Sequence, residues 1–234
     1  MSVYVLIPAA GSGSRFGSAT KKQYLELNGQ PILAHTIRLF NQSPRVDAIY
    51  LMAPEDEIGF CRRELVERYD FEKVRDVVRG GEERQMSVYN GLKACCARPD
   101  DIILIHDGVR PLLHPSLISE TIRQAETDGA CLVAVPARDT LKEVENGRVV
   151  ATPERRRFWQ AQTPQAFRYQ VILKGHEKAR EEGFLGTDDA SLVERLGVPV
   201  TVVEGSCFNI KITTPEDLKI AEALEALLKE QACT

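Results

Sequence analysis

The stretch that decides the fold is LIPAAGSGSRFGSATKKQY, Leu6 to Tyr24. Just before and into it, Val3 to Ile7 is a short apolar run with the composition of a strand buried on both faces. It opens directly into a loop of Gly, Ser and Ala that carries the cations Arg15, Lys21 and Lys22. In an open α/β sheet, ligands bind beyond the carboxyl ends of the strands, where a loop after the first strand lies. Small residues leave backbone N–H groups free to face phosphate oxygens at close range. Two familiar phosphate-binding patterns fail. The dinucleotide pattern G-x-G-x-x-G requires glycine at position 16, where the chain has Phe16, with Gly17 one place late. The pattern G-x-x-x-x-G-K-[ST], counted from Gly11, fails at the same residue. Nicotinamide enzymes and common NTPases are therefore not supported. The loop can instead deliver Arg15 and Lys22 to a triphosphate, the Arg fork taking two oxygens and Lys acting as a point charge. The same residues also suit a surface turn with solvated cations.

Outward from this loop, apolar runs alternate with helical patterns. Further strands are expected at Asp47–Met52, Val74–Val78, Asp101–Ile105, Cys131–Val135 and Val198–Val203. Helices are expected at Pro31–Phe40, Ser87–Cys96, Pro115–Ala125, Tyr169–Arg180 and Pro215–Leu228, the last capped by Thr214 with Pro215 in its first turn. The alternation indicates an α/β fold with a mostly parallel, Rossmann-like sheet. No repeat or linker divides the chain, so one domain, residues 1–234, is expected. One segment breaks the pattern: Thr140–Val144 and Arg148–Ala151 flank Asn146-Gly147 and read as a β-hairpin. Such an arm, at about residues 138–158, protrudes and gains stability by packing on something, such as a second subunit.

Composition narrows the function. The 234 residues carry a net charge of −4, without the basic excess of a nucleic-acid-binding chain. The cations of the loop are thus local and suit a small anionic ligand. Six cysteines (Cys61, Cys95, Cys96, Cys131, Cys207 and Cys233) form no C-x-x-C pair and mostly read as core residues. The N-terminal apolar run is too short for a membrane span and lacks a basic flank. A cytoplasmic, reduced protein with no membrane or nucleic-acid partner is expected.

Other constellations follow strand ends. Gly80-Gly81 permit tight backbone geometry before a helix whose early residue Ser87 can reach a ligand; a plain strand-to-helix turn is the alternative. His106-Asp107-Gly108-Val109-Arg110-Pro111 follows the apolar run DIILI. A carboxylate there is well placed for magnesium, and equally able to cap the turn and pair with Arg110. His106 reads as structural. Arg155-Arg156-Arg157 is either a solvated face or a phosphate-binding cation source. Thr187-Asp188 reads as a helix start, and Asn209–Thr213 as an alternating strand that carries Lys211 to solvent or to a ligand.

The segments P-A-A-G-x-G-x-R and K-Q-Y resemble the loop of sugar-nucleotide pyrophosphorylases and, more closely, of polyol-phosphate cytidylyltransferases. The nearest resemblance is to the family of 2-C-methyl-D-erythritol 4-phosphate cytidylyltransferases. It extends in order through Gly80–Ser87, His106–Pro111, Arg138-Asp139-Thr140, Thr163-Pro164-Gln165, Thr187–Ser191 and Asn209-Ile210-Lys211. The resemblance implies transfer of CMP from CTP to the polyol phosphate with release of pyrophosphate, in isoprenoid precursor synthesis. It implies that Arg15 and Lys22 stabilise the transition state. Pro8, Ala9, Ala10, Gly11 and Gly13, with Asp107 and Gly108, would bind the triphosphate, and Gly81, Glu82 and Ser87 the cytosine. Arg110, Thr140, Arg155, Thr163, Thr187 and Lys211 would hold the acceptor, Arg155 and Lys211 at its phosphate. Mg²⁺ or another divalent cation would sit near Asp107. The hairpin would reach across a homodimer, so that Thr140 and Arg155 serve the partner's site. Two departures stand out: Glu82 replaces the usual Asp, and Phe208 stands where relatives often carry an acid. Alternatives are a ribitol 5-phosphate cytidylyltransferase and a catalytically silent nucleotide-binding regulator.

Overall fold

The computed structural model describes residues 1–11 and 22–232. In chain order the elements are β1 (Val3–Pro8), β2 (Glu26–Leu27), β3 (Gln30–Pro31), α1 (Ile32–Asn41), β4 (Ala48–Ala53), α2 (Ile58–Cys61), β5 (Val74–Arg79), α3 (Arg84–Ala94) and β6 (Ile102–Ile105). They continue with α4 (Pro115–Asp128), β7 (Ala130–Pro136), β8 (Glu143–Glu145), β9 (Arg148–Ala151), β10 (Trp159–Arg168), α5 (Tyr169–Glu181), α6 (Asp189–Glu194), β11 (Thr201–Glu204) and α7 (Pro215–Ala232). Seven strands form one sheet in the order β11-β7-β10-β6-β1-β4-β5. All neighbours run parallel except β10, which is antiparallel to both β6 and β7.

Strand periodicity explains the layers. In β1, Val5 and Ile7 enter a core with α1 and α4, whereas Leu6 points to the opposite core with α3 and α5. β6 divides the same way, Ile102 and Leu104 against Ile103 and Ile105. Because both faces are covered by helices, these strands read as continuous apolar runs. A third, smaller cluster seats α7 through Ala221 on Ile32, Val109 and Ile212. The start of α7 is held reciprocally. Thr214 Oγ1 accepts from Asp217 N–H, and the Asp217 carboxylate accepts from the N–H groups of Thr213 and Thr214.

The arm leaves the sheet after β7 and rejoins it at β10, and Ala137 N–H bonded to the Phe158 carbonyl closes its base. β8 and β9 form a separate two-stranded sheet. Asn146 and Gly147 have φ of 50° and 76°, the paired positive values of a type I′ turn. Asn28-Gly29, with φ of 48° and 78°, turns β2 into β3 by the same device.

Three expectations are corrected. Asn209–Thr213 is not a strand: it is fastened by single bonds, Ile212 N–H to Val109 O and Arg110 Nη1 to Asn209 O, not by a ladder. The helix expected to open at Ser87 begins three residues earlier, at Arg84. The last sheet strand is Thr201–Glu204, not Val198–Val203. Strand β10 was not anticipated, because Gln160, Gln162, Thr163, Pro164 and Gln165 give it a polar, proline-broken sequence.

Phe40 closes α1 fully buried, packed edge-on against the His106 ring at 4.9 Å between centroids. Phe40→Ala is expected to remove about 3–5 kcal/mol of unfolding free energy by leaving a cavity beneath the turn that follows β6. Urea denaturation measures this; a loss under 1 kcal/mol contradicts the packing described.

Candidate active site

The carboxyl ends of β1, β5 and β6 converge on a cavity of about 210 Å³. It is lined by Pro8, Ala9, Ala10 and Gly11, by Gly81, Glu82 and Ser87, and by Asp107, Gly108 and Lys211, all anticipated as site residues. Gln23, Glu83, Arg84 and Val109 complete the wall and were not. The glycine pair is explained by contact. A Cβ at Gly80 would lie 2.3 Å from that of Ala10, and one at Gly81 would lie 2.4 Å from that of Met86. At Gly80 two loops distant in sequence meet too closely for a second side chain, and at Gly81 the turn closes on its own helix start. Ser87 Oγ accepts from Gly81 N–H at 2.9 Å and lies 3.2 Å from the Glu83 carbonyl, so it shapes this turn.

Asp107 is the electrostatic centre. Its Oδ1 receives Arg84 Nε at 3.1 Å, and its Oδ2 receives Lys211 Nζ at 3.0 Å and Arg110 Nε at 3.3 Å. Burial alone would push the Asp107 carboxyl upward, but Arg84, Lys211 and Arg110 outweigh it and hold it far below the usual carboxylate range. Arg84 continues to the buried Asp189, 2.6 Å from its Nη1. Burial opposes the charge on Arg84, and the carboxylates of Asp189 and Asp107 more than restore it. A cation in the first turn of a helix opposes the helix dipole, which is the sequence signal by which Arg84 could have been found.

Behind Asp107, donor accounting fixes a relay. The Arg110 carbonyl can only accept, so His106 Nε2, 3.1 Å away, carries the proton. His106 Nδ1 then accepts from Thr163 Oγ1 at 3.1 Å, and Thr163 Oγ1 accepts from Asp107 N–H at 3.1 Å. Full burial pushes His106 down to about 4. It is structural, as expected, and Thr163 belongs to the same bracket.

A second cavity, about 380 Å³, lies beside the first, lined by Arg110, Arg138, Gln160, Gln162, Cys207 and Lys211 among others. Lys211 lines both cavities. The remaining acceptor candidates are not gathered here. Thr140 and Arg155 are exposed on the arm, where Arg155 Nη1 donates to the carbonyl of Arg138. Thr187 is exposed beside Asp188, the N-cap of α6. Lys22 opens a short 3₁₀ turn, Lys22–Tyr24. Gly13 and Arg15 lie outside the described residues, as does Cys233. Of the five described cysteines, Cys61, Cys95 and Cys131 are buried, as expected, while Cys96 and Cys207 are exposed.

Comparison with known proteins gives the family. Residues 3–226 match the family model of 2-C-methyl-D-erythritol 4-phosphate cytidylyltransferase, IspD. The chain belongs to this family. Among relatives so named, that of Syntrophotalea carbinolica is 56% identical over 223 residues, covering 95% of this chain and 96% of the relative. That of Geotalea uraniireducens is 56% identical over 224 residues, with 95% and 96% covered. Of solved structures, the Francisella tularensis 2-C-methyl-D-erythritol 4-phosphate cytidylyltransferase superposes with a TM-score of 0.82 at 35% identity, covering 96% of this chain and 100% of that one. The 4-diphosphocytidyl-2C-methyl-D-erythritol synthase of Anaerococcus prevotii gives 0.82 at 34% identity, with 95% of each chain covered. No helix among the described residues is long and apolar enough to cross a membrane.

The buried neutral His106 makes stability depend on pH. Its folded pKa lies at about 4, below the ordinary 6.5, so the unfolded chain binds the extra proton between these values. Stability is therefore lost as pH falls from about 6.5 to about 4, by about 3 kcal/mol for this group. Chemical denaturation of the wild type and His106→Gln at pH 7 and pH 4 should show the variant losing less by that amount. Equal slopes would show that His106 is not held neutral.

Proposed function

We propose that the chain transfers CMP from CTP to 2-C-methyl-D-erythritol 4-phosphate, giving 4-diphosphocytidyl-2-C-methyl-D-erythritol and pyrophosphate. The observation that carries this reading is Lys211, whose side chain lines two adjoining cavities at once. One has the small-residue loop expected of a nucleotide site; the other has the cations Arg110 and Arg138, suited to a phosphomonoester. An acceptor phosphate oxygen attacks the α-phosphorus in line, its new P–O bond forming as the bond to the leaving pyrophosphate breaks. No enzyme nucleophile is needed, and rate acceleration rests on positioning and on countering phosphoryl charge.

In this reading Arg15 and Lys22 stabilise the transition state. The backbone N–H groups of residues 9–13 cradle the triphosphate, and Gly81, Glu82 and Ser87 select cytosine. Asp107 and Gly108 join the triphosphate side, and Arg110 and Thr163 shape the acceptor side. Lys211 and the arm's Arg155 hold the acceptor phosphate, with Thr140 and Thr187 as further acceptor contacts. Among the described residues no three His, Cys, Asp or Glu side chains gather into a metal cage. Asp107 offers one carboxylate with cations already on its oxygens. Mg²⁺ or another divalent cation would therefore be carried in on the phosphate oxygens, beside Asp107. Such an ion would offset the charge of the leaving pyrophosphate. The arm exposes Val144, Val149 and Val150, with Phe158 and Trp159 at its base. An apolar two-stranded ribbon of this kind gains stability from a second copy of the chain, and a homodimer in the cytoplasm is our reading.

Pyrophosphate release with CTP, Mg²⁺ and each acceptor tests the proposal. Turnover is expected with 2-C-methyl-D-erythritol 4-phosphate, and Lys211→Ala should cut kcat/KM on the order of 10²-fold. Faster turnover with ribitol 5-phosphate would overturn the acceptor assignment, and no release with either would leave a binding protein. Separately, Arg155→Ala should raise the acceptor's KM roughly tenfold while the KM for CTP stays level, about the effect of one lost charged phosphate contact. A change confined to CTP would remove Arg155 from the acceptor site.

A further inference from the structure

The residue after Lys22 is a buried amide. Gln23 is 2% exposed, lines the 210 Å³ cavity, and donates through Nε2 to the carbonyl of Ala9 at 2.9 Å. Ala9 is itself fixed, its N–H bonded to Met52 O at 2.8 Å, one residue past the end of β1. The bond therefore ties together two points fourteen residues apart, at the two ends of the glycine-rich loop. The next residue braces the tie from outside. Tyr24 Oη donates to Glu57 Oε2 at 2.7 Å and lies 3.1 Å from Cys61 Sγ, and its ring meets Phe60 edge-on at 5.0 Å. A polar side chain buried this deeply costs free energy unless it is bonded, and an aliphatic one would fill the same space. The amide is there for its bond, and that bond fixes the backbone beside Lys22 at the carboxyl end of β1.

We propose that Gln23 is a positioning residue: by joining the loop's exit to the Ala9 carbonyl it places Lys22 for phosphoryl transfer. This rests on the assignment of Lys22 under the proposed function. A misplacement near 1 Å at a reacting centre can cost about 10²-fold in rate. Gln23→Met keeps the volume and removes the donor. Steady-state pyrophosphate release is expected to show kcat lowered between about tenfold and a hundredfold, with the acceptor's KM unchanged. In a Lys22→Ala background, adding Gln23→Met is expected to cost nothing further, because Gln23 acts through Lys22. A purely structural role would lower the melting temperature and leave kcat per folded molecule intact, which overturns the proposal. So does the same fold-loss in both backgrounds. If Gln23→Met does not fold, Gln23→Asn, which keeps the amide one methylene short, must show the same loss and the same non-additivity. A wild type that releases no pyrophosphate overturns the activity and this inference together; a wild type that turns over beside an unimpaired Gln23→Met overturns the inference alone.

Discussion

A carboxylate lifted out of water at the end of a central strand must be compensated, and at Asp107 the compensation comes from one cation of its own turn and two from distant parts of the chain. Arg84 opens α3, Arg110 closes the turn after β6, and Lys211 arrives from the segment before α7. Their charges meet only once the sheet and both helical layers are assembled, so the site is a product of the whole fold. Withdrawing one partner from a buried ion cluster typically costs about 3–5 kcal/mol, because the remaining charge stays buried. Replacing the cluster by apolar residues need not cost anything. The arrangement therefore holds cations in place at the wall of the cavity, and stability alone does not account for it.

The antiparallel strand β10 is the bracket that makes this possible. Thr163 accepts from the backbone of Asp107 and donates to His106. Gln162 and the Thr163 carbonyl take the amide of the fully buried Asn209, which orders the segment leading to Lys211. Gln165 accepts from the N–H groups of Asp189 and Ala190 and donates to Asp188, so it sets the start of α6 and with it the carboxylate that holds Arg84. Three polar side chains in a buried strand would be destabilising without partners; each here has a specific one. Their polarity is the means by which one strand orders three pieces of the site.

Those same residues mark where the sequence was hard to read. Strands β1, β4 and β6 were legible because both their faces are buried, and the arm's turn was legible from Asn146-Gly147. The lining of the 210 Å³ cavity was legible because a backbone open to close approach demands small residues at known offsets from a strand. Strand β10 was not, because its sequence serves hydrogen-bond partners far away in the chain, and no local periodicity records them. Arg84 was not, because the expected helix opens at Ser87 and only the observed start of α3 sets this cation against the dipole. The segment 209–213 alternates like a strand, yet its neighbours are a turn and a helix, and alternation alone cannot supply a ladder partner.

The cations around Asp107 also differ in their freedom, and the difference follows from residue type. Arg110 is nearly buried, with one donor on Asp107 and another on the Asn209 carbonyl, so its planar fork is held at two points. Among the described residues Lys211 is paired through Nζ with Asp107, and its side chain is 39% exposed. A flexible stem with a point charge can pivot between neighbouring oxygens without breaking a second bond, which a doubly held guanidinium cannot do. In the reading proposed above, a nucleotide cavity and an acceptor cavity need a fixed wall and a movable charge at their junction. Arginine in the wall and lysine at the boundary meet that requirement, and exchanging the two types would leave a rigid fork where the charge has to follow the reaction.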